Sequence, residues 1–168
     1  MPERRSPRSY RSRRFRYPAA VIVILFGFTM SIRDLTLVFH PGRFAAVRLP
    51  ASDSLPAWAT AGSFVSITRD RLTGELSIIC PEQDVPIAQA AERGWVCLRV
   101  AGPLPFDAVG VVSALVQPLA KAEIPVLAIS SYDTDYLLVR AASLKFAIAT
   151  LRGAGHCVEG CAEATEIL

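Results

Sequence analysis

Two segments with helical periodicity, set among short apolar runs, constrain this chain more than any other feature. Residues 109–122 place Val109, Val112, Leu115, Val116 and Leu119 at the i, i+3, i+4, i+7 spacing of an amphipathic helix, with Pro118 inside it. Residues 141–154 do the same with Leu144, Ala147, Ile148 and Leu151, and Gly153 and Gly155 stop that helix. Around them, residues 95–100, 126–130, 135–139 and 156–159 are apolar runs too short for helices, and they read as strands.

The resulting order, β-α-β-β-α-β over residues 95–159, is the ferredoxin-like arrangement of an α+β fold: an antiparallel sheet with two helices on one face. Strand alternation sends Leu127 and Ile129 to one face and Val126 and Ala128 to the other. Both faces are apolar, so the face without helices needs a cover of its own, from a second subdomain or a second chain.

The first half of the chain supplies a candidate. Residues 35–39, 44–49, 64–68 and 75–80 read as strands, with a turn at His40-Pro41-Gly42 between the first two. A short helical turn is expected between Pro56 and Gly62. A short helix is expected within residues 81–94, limited by Pro86 and closed by Gly94. Residues 64–84 and 126–144 share an order: strand, polar connection, acid (Glu75 or Asp135), strand, helix start. This weak internal repeat points to two related subdomains. The boundaries read as 1–29 for an N-terminal extension, 30–93 and 94–160 for the subdomains, and 161–168 for a tail.

Charge is unevenly distributed. Residues 1–18 hold seven arginines and one acid, whereas the remainder holds 11 basic and 14 acidic residues. The body is therefore mildly acidic, which argues against a nucleic-acid surface. The apolar run at residues 19–28 follows the arginines as in a targeting signal, but it is about half the roughly twenty residues that span a bilayer, and no small-x-small cleavage pattern follows. A membrane role is not expected. Met30 itself reads as a natural start for the folded body, so residues 1–29 stand as an extension, as an upstream start assignment or as a targeting segment.

Cys80 and Cys97 lie in strand-like runs, where a thiol acts as a small hydrophobe. His156, Cys157 and Cys161 form H-C-x3-C, half of a metal pattern with no second half, so neither metal nor cofactor is assigned. This thiol usage fits a reducing, cytoplasmic setting better than a disulfide scaffold. Neither His40 nor His156 lies beside a nucleophile motif, and there is no phosphate-binding loop or G-x-G-x-x-G. The chain reads as non-catalytic.

The stretch "GPLPFDAVGVVSALVQPLAKAEIPVLAISSYDTDYLLVRAASLKFAIATLRGAGH" resembles the ACT domain, as found in CASTOR-type arginine sensors and in aspartate kinase regulatory regions. A looser likeness extends the match to residues 31–158. The resemblance implies tandem ACT-like subdomains and a regulatory sensor that binds an amino acid or similar metabolite at a subdomain interface. It also implies a homodimer or a protein partner. The alternative is an interaction module that keeps the fold without the ligand.

By the same resemblance, two segments supply the ligand contacts: Val109, Gly110, Val111 and Val112 at the first helix start, and Tyr132, Asp133, Thr134 and Asp135 in the later turn. The chemistry suits that use. Helix-start amides attract a carboxylate, Gly110 allows close backbone approach, and Asp133 or Asp135 can accept from an ammonium group. Ordinary roles compete: Asp107 as the helix N-cap, Asp133 and Thr134 as turn formers, Tyr132 as core.

Overall fold

The structure, a computed structural model, describes residues 34–160. The extension at residues 1–29 and the tail from Cys161 lie outside them. Seven strands form one sheet: β1 (Thr36–Pro50), β2 (Ser66–Asp70), β3 (Glu75–Pro81), β4 (Glu92–Val100), β5 (Val126–Ser130), β6 (Asp135–Arg140) and β7 (Cys157–Glu159). Two α-helices, α1 (Val111–Lys121) and α2 (Leu144–Gly153), both belong to the second half. The strand order is β2-β3-β1-β4-β6-β5, with β7 pairing parallel to β1.

The βαββαβ order of the second half is present, with one departure. The ferredoxin-like arrangement would place the last strand beside the first, here β7 beside β4. Instead the first part of β1 lies between them, pairing antiparallel to β4 from Leu37 opposite Val100 and parallel to β7 through Leu37 and Val158. The later part of β1 pairs with β3, from Phe44 opposite Pro81 to Pro50 opposite Glu75. One long strand thus serves both halves and makes their sheet continuous.

That strand corrects the expectation of two strands and a turn at residues 35–49. The His40-Pro41-Gly42 stretch forms an irregularity inside β1, where the β4 register jumps from His40–Cys97 to Phe44–Trp95. Gly42 has φ +100°, which a glycine adopts without the Cβ penalty. Both flanks stay on the same partner, so the extra residues bend the strand and do not reverse it.

The helix expected within residues 81–94 is also absent. Glu82–Asp84 forms a single 3-10 turn, and β4 begins at Glu92. Here tertiary bonds outcompete helix propensity. The Arg93 guanidinium donates to the carbonyls of Glu82, Val85 and Pro86, and the Gly94 amide donates to the Glu82 carboxylate at 2.7 Å. Pro86 has no N–H to offer a helix. The turn expected after Pro56 is found as a 3-10 turn at Ala57–Ala59.

The core lies between the sheet and the two helices. Leu37, Val96, Leu98, Val100, Leu137 and Val139 point from the strands toward Leu115 and Leu119 of α1 and Leu144, Ala147 and Leu151 of α2. Strand alternation is as read: Val126 packs on this core, and Leu127 and Ile129 pack on the opposite face. There Phe44, Trp95, Cys97 and Leu138 form a second cluster, covered by Phe64 from the segment between β1 and β2. Phe64 stacks on Tyr136 with centroids 4.6 Å apart and meets Phe44 edge-on at 5.6 Å. The first half of the same chain therefore contributes to the cover that the two-faced strands demanded. No helix among the described residues is long and apolar enough to cross a membrane.

Candidate ligand-binding site

A cleft of about 430 Å³ opens where the segment entering α1 meets the turn between β5 and β6. One wall is residues 104–113 without Asp107 and Val109, and the other is Ser130 to Asp135. Seven of the eight residues singled out from the sequence line it: Gly110, Val111, Val112, Tyr132, Asp133, Thr134 and Asp135. Val109 does not, and it is 82% exposed beside the cleft.

The helix wall departs from expectation in its cap. The helix starts at Val111, two residues later than its periodicity indicated, and the N-cap is Gly110 in the left-handed region (φ 87°, ψ 2°). No side chain caps it, so Asp107 does not fill the N-cap role expected of it. The physical reason lies in the loop: a turn held by the Ala108 amide on the Pro105 carbonyl (2.9 Å) carries the chain past Asp107, three residues before the cap. The first-turn amides of an α-helix have no intrahelical acceptor, and here no capping side chain occupies them.

The opposite wall is a tight turn. The Ser131 amide and hydroxyl both donate to the Thr134 carbonyl at 2.8 Å. The Ser130 hydroxyl donates to an Asp135 carboxylate oxygen at 2.5 Å. Among the described residues, no cationic side chain pairs with Asp133 or Asp135. Thr134 is only 5% exposed, and its hydroxyl donates to the Val100 carbonyl at 2.6 Å.

Tyr132 is 82% exposed, which rules out the core role that competed for it. Its ring pairs with that of Phe106, 84% exposed, at a centroid distance of 5.6 Å. Sequence reasoning missed Phe106. The available signal was an aromatic residue in a Gly/Pro-rich loop, where no core position explains it.

The cleft thus sets uncapped backbone N–H groups on one wall against carboxylates on the other, with an aromatic pair beside them. It suits a small molecule that carries both an anionic and a cationic group. No group of three or more His, Cys, Asp or Glu side chains among the described residues is arranged to hold a metal.

Comparison with known proteins identifies related sequences and folds. The ACT domain profile matches residues 90–153, and a profile for an N-terminal domain matches residues 42–88. Over 110 residues the chain is 38% identical to the bovine (Bos taurus) cytosolic arginine sensor for mTORC1 subunit 1, covering 63% of this chain. The chain spans about a third (32%) of the length of that relative. Among solved structures, protein Atu0741 from Agrobacterium tumefaciens superposes with a TM-score of 0.70 at 38% identity, covering 74% of this chain and 92% of that one. The aspartate kinase of Clostridium acetobutylicum shares the fold at a TM-score of 0.52 and 10% identity, over 68% of this chain and 33% of its own. Residues 90–153 of this chain form an ACT domain.

Proposed function

We propose that this protein is a non-catalytic regulatory sensor that binds an amino acid, or a metabolite of the same zwitterionic kind, in the cleft between the α1 entry and the β5–β6 turn. The observation that carries the reading is the opposition of uncapped α1 amides to the carboxylates of Asp133 and Asp135, neither in a salt bridge among the described residues, across one small cleft. An α-carboxylate would sit on the amides of Val111 and Val112, and an ammonium or other cationic group on Asp135 or Asp133. Tyr132 and Phe106 would wall the side chain. Gly110 would leave the backbone open to close approach. Val109, exposed next to the cleft, would meet a ligand only at its rim.

The bovine relative's name as an arginine sensor supports an amino acid as ligand and a cytosolic setting. The same reading treats residues 30–93 and 94–160 as two ACT-like halves. Regulation requires that ligand favour one of two states of the protein or of its assembly with a partner or second copy.

A thermal-shift panel of the twenty amino acids on the full chain tests the proposal. A ligand at a hundred times its dissociation constant raises stability by roughly 3 kcal/mol. Asp135→Asn should abolish most of that rise. If no amino acid moves the midpoint, the sensor reading fails.

A second reading rests on the exposed apolar side chains of Phe106, Val109 and Tyr132. Such a patch suits a protein interface, and the fold would then serve as an interaction module without a ligand.

A further inference from the structure

The turn that carries Asp133 lies beyond the ladders that should hold it. The last β4–β6 pair is Arg99 opposite Tyr136, and the last β5–β6 pair is Ser130 opposite Asp135. Residues 131–134 therefore project past the sheet, where a turn held only at its base would sway against the α1 entry.

Three features tie it down, all on one side. The buried Thr134 hydroxyl reaches Val100, one residue past the last β4–β6 pair, at 2.6 Å. The Asp133 carbonyl accepts from the Leu104 amide at 2.8 Å. Gly102 lies so close that a Cβ there would stand 2.9 Å from the Asp133 carbonyl oxygen and 3.3 Å from the Thr134 Cβ. The strap is itself anchored, since the Ala101 amide donates to the Thr36 carbonyl of β1 at 2.7 Å. Leu104 then leads directly into the cleft wall and on to Gly110.

We infer that Thr134 is a positioning residue: its buried hydroxyl, with Gly102 close by, latches the β5–β6 turn to the end of β4, where the chain leaves for α1, and so fixes the spacing between the two walls of the cleft. This builds on the proposed ligand site and assigns Thr134 a role other than ligand contact. The hydroxyl's hydrogen is committed to Val100, so a ligand in the cleft would meet the consequences of Thr134 and not its donor. Threonine suits the position because its methyl fills the buried space while the hydroxyl makes the bond. Serine keeps the bond and loses the methyl, and valine does the reverse.

The test needs no ligand, so its outcome is independent of whether an amino acid binds. Amide hydrogen exchange is measured on the full chain for the wild type, Thr134→Val, Thr134→Ser and Gly102→Ala. In Thr134→Val the hydrogen-bonded amides of the entry segment, Leu104, Ala108 and Ala114, should exchange faster by about tenfold, as for loss of one hydrogen bond that restrains local opening. Thr134→Ser should stay within about twofold of wild type by the same reasoning. Gly102→Ala should move the same amides by forcing the two segments apart, and it keeps the test decisive if Thr134→Val does not fold. The inference is overturned if the change in Thr134→Val stays within residues 131–136, if Thr134→Ser exchanges as fast as Thr134→Val, or if Gly102→Ala leaves the amides of Leu104, Ala108 and Ala114 untouched. If the amino-acid panel also yields a ligand, Thr134→Val should weaken it and Thr134→Ser should not.

Discussion

His156 Nε2 lies 3.2 Å from the Ala114 carbonyl, the one acceptor in α1 that Pro118 leaves without its helical donor. In an α-helix the carbonyl of residue 114 accepts from the amide of residue 118, and proline has none. A histidine just before β7 fills the gap. A carbonyl only accepts, so Nε2 is the donor, and the buried Nδ1 has no hydrogen-bond partner among the described residues. His156 is 6% exposed, and it joins α1 to the end of the fold.

This relationship predicts coupling between His156 and Pro118. His156→Leu should cost about 1–3 kcal/mol, because it strands a buried carbonyl. In a Pro118→Ala background, residue 118 regains an amide for Ala114, and the same change should cost about 1 kcal/mol less. Urea unfolding of the four proteins measures the cycle. Additivity to within a few tenths of a kcal/mol would mean that the histidine acts only by packing.

The aromatic plug on the face without helices makes a second prediction. Phe64 packs on Phe44, Tyr136 and His40, and it spans the two halves of the chain. Phe64→Ala should destabilise the protein by about 3 kcal/mol, at the low end for a large aromatic because Phe64 is only half-buried. Phe64→Leu should recover most of the loss. A loss below about 1 kcal/mol would show that this face is held by other groups.

Phe106 and Tyr132 should behave in the opposite way. Both are largely exposed and touch each other at the cleft. Replacing either by alanine should leave the thermal midpoint of the ligand-free protein nearly unchanged, within about 0.5 kcal/mol. Ligand affinity, or partner affinity under the second reading, should fall by roughly 5- to 30-fold, as for loss of an aromatic contact worth about 1–2 kcal/mol. A change in stability without a change in binding would place these rings in the fold and not in the site.

The cysteines give a pH-dependent prediction. Burial pushes the Cys97 thiol from 9.0 up to about 12, and burial also raises Cys80, aided by the nearby Asp84. A thiol with a raised folded-state value contributes stability that is intact below pH 9 and is lost as pH climbs toward 12, since the unfolded chain releases its proton first. Over that window the protein should lose about 1.4 kcal/mol per pH unit more than Cys97→Val, read from urea midpoints at stepped pH. Equal slopes for the two proteins would refute it. At neutral pH, Cys161→Ser should show one fast thiol, the exposed Cys157, and two more only after unfolding.

Local patterning made much of this legible before any coordinates. The face assignments of Leu127, Ile129 and Val126 hold because a strand alternates whatever its neighbours are. The two α-helices follow from apolar spacing, which burial then uses. The cleft residues were reached differently. Gly110 to Val112 and Tyr132 to Asp135 came from a family resemblance, and the fold lines them along one cleft.

The misreadings share one cause. Residues 81–94 have a helical composition, but the side chain of Arg93 reaches back to three carbonyls of that same segment and holds it as a turn and loop. His40-Pro41-Gly42 looks like a reversal, yet β4 pairs with both flanks and turns it into a bend. Asp107 has the chemistry of a cap, but Gly110 takes the position.

The sequence alone determined both α-helices, most of the strands and which side chains of those elements seek the interior, because those choices depend on neighbours within a turn or two. Tertiary structure alone decided that β1 separates β7 from β4, that Phe64 covers the second face, and that the Thr134 hydroxyl is bonded to Val100. These are pairings between residues tens of positions apart. Hydrogen-bond partners and packing surfaces at that range are chosen by the closed sheet as a whole, and no local pattern encodes them.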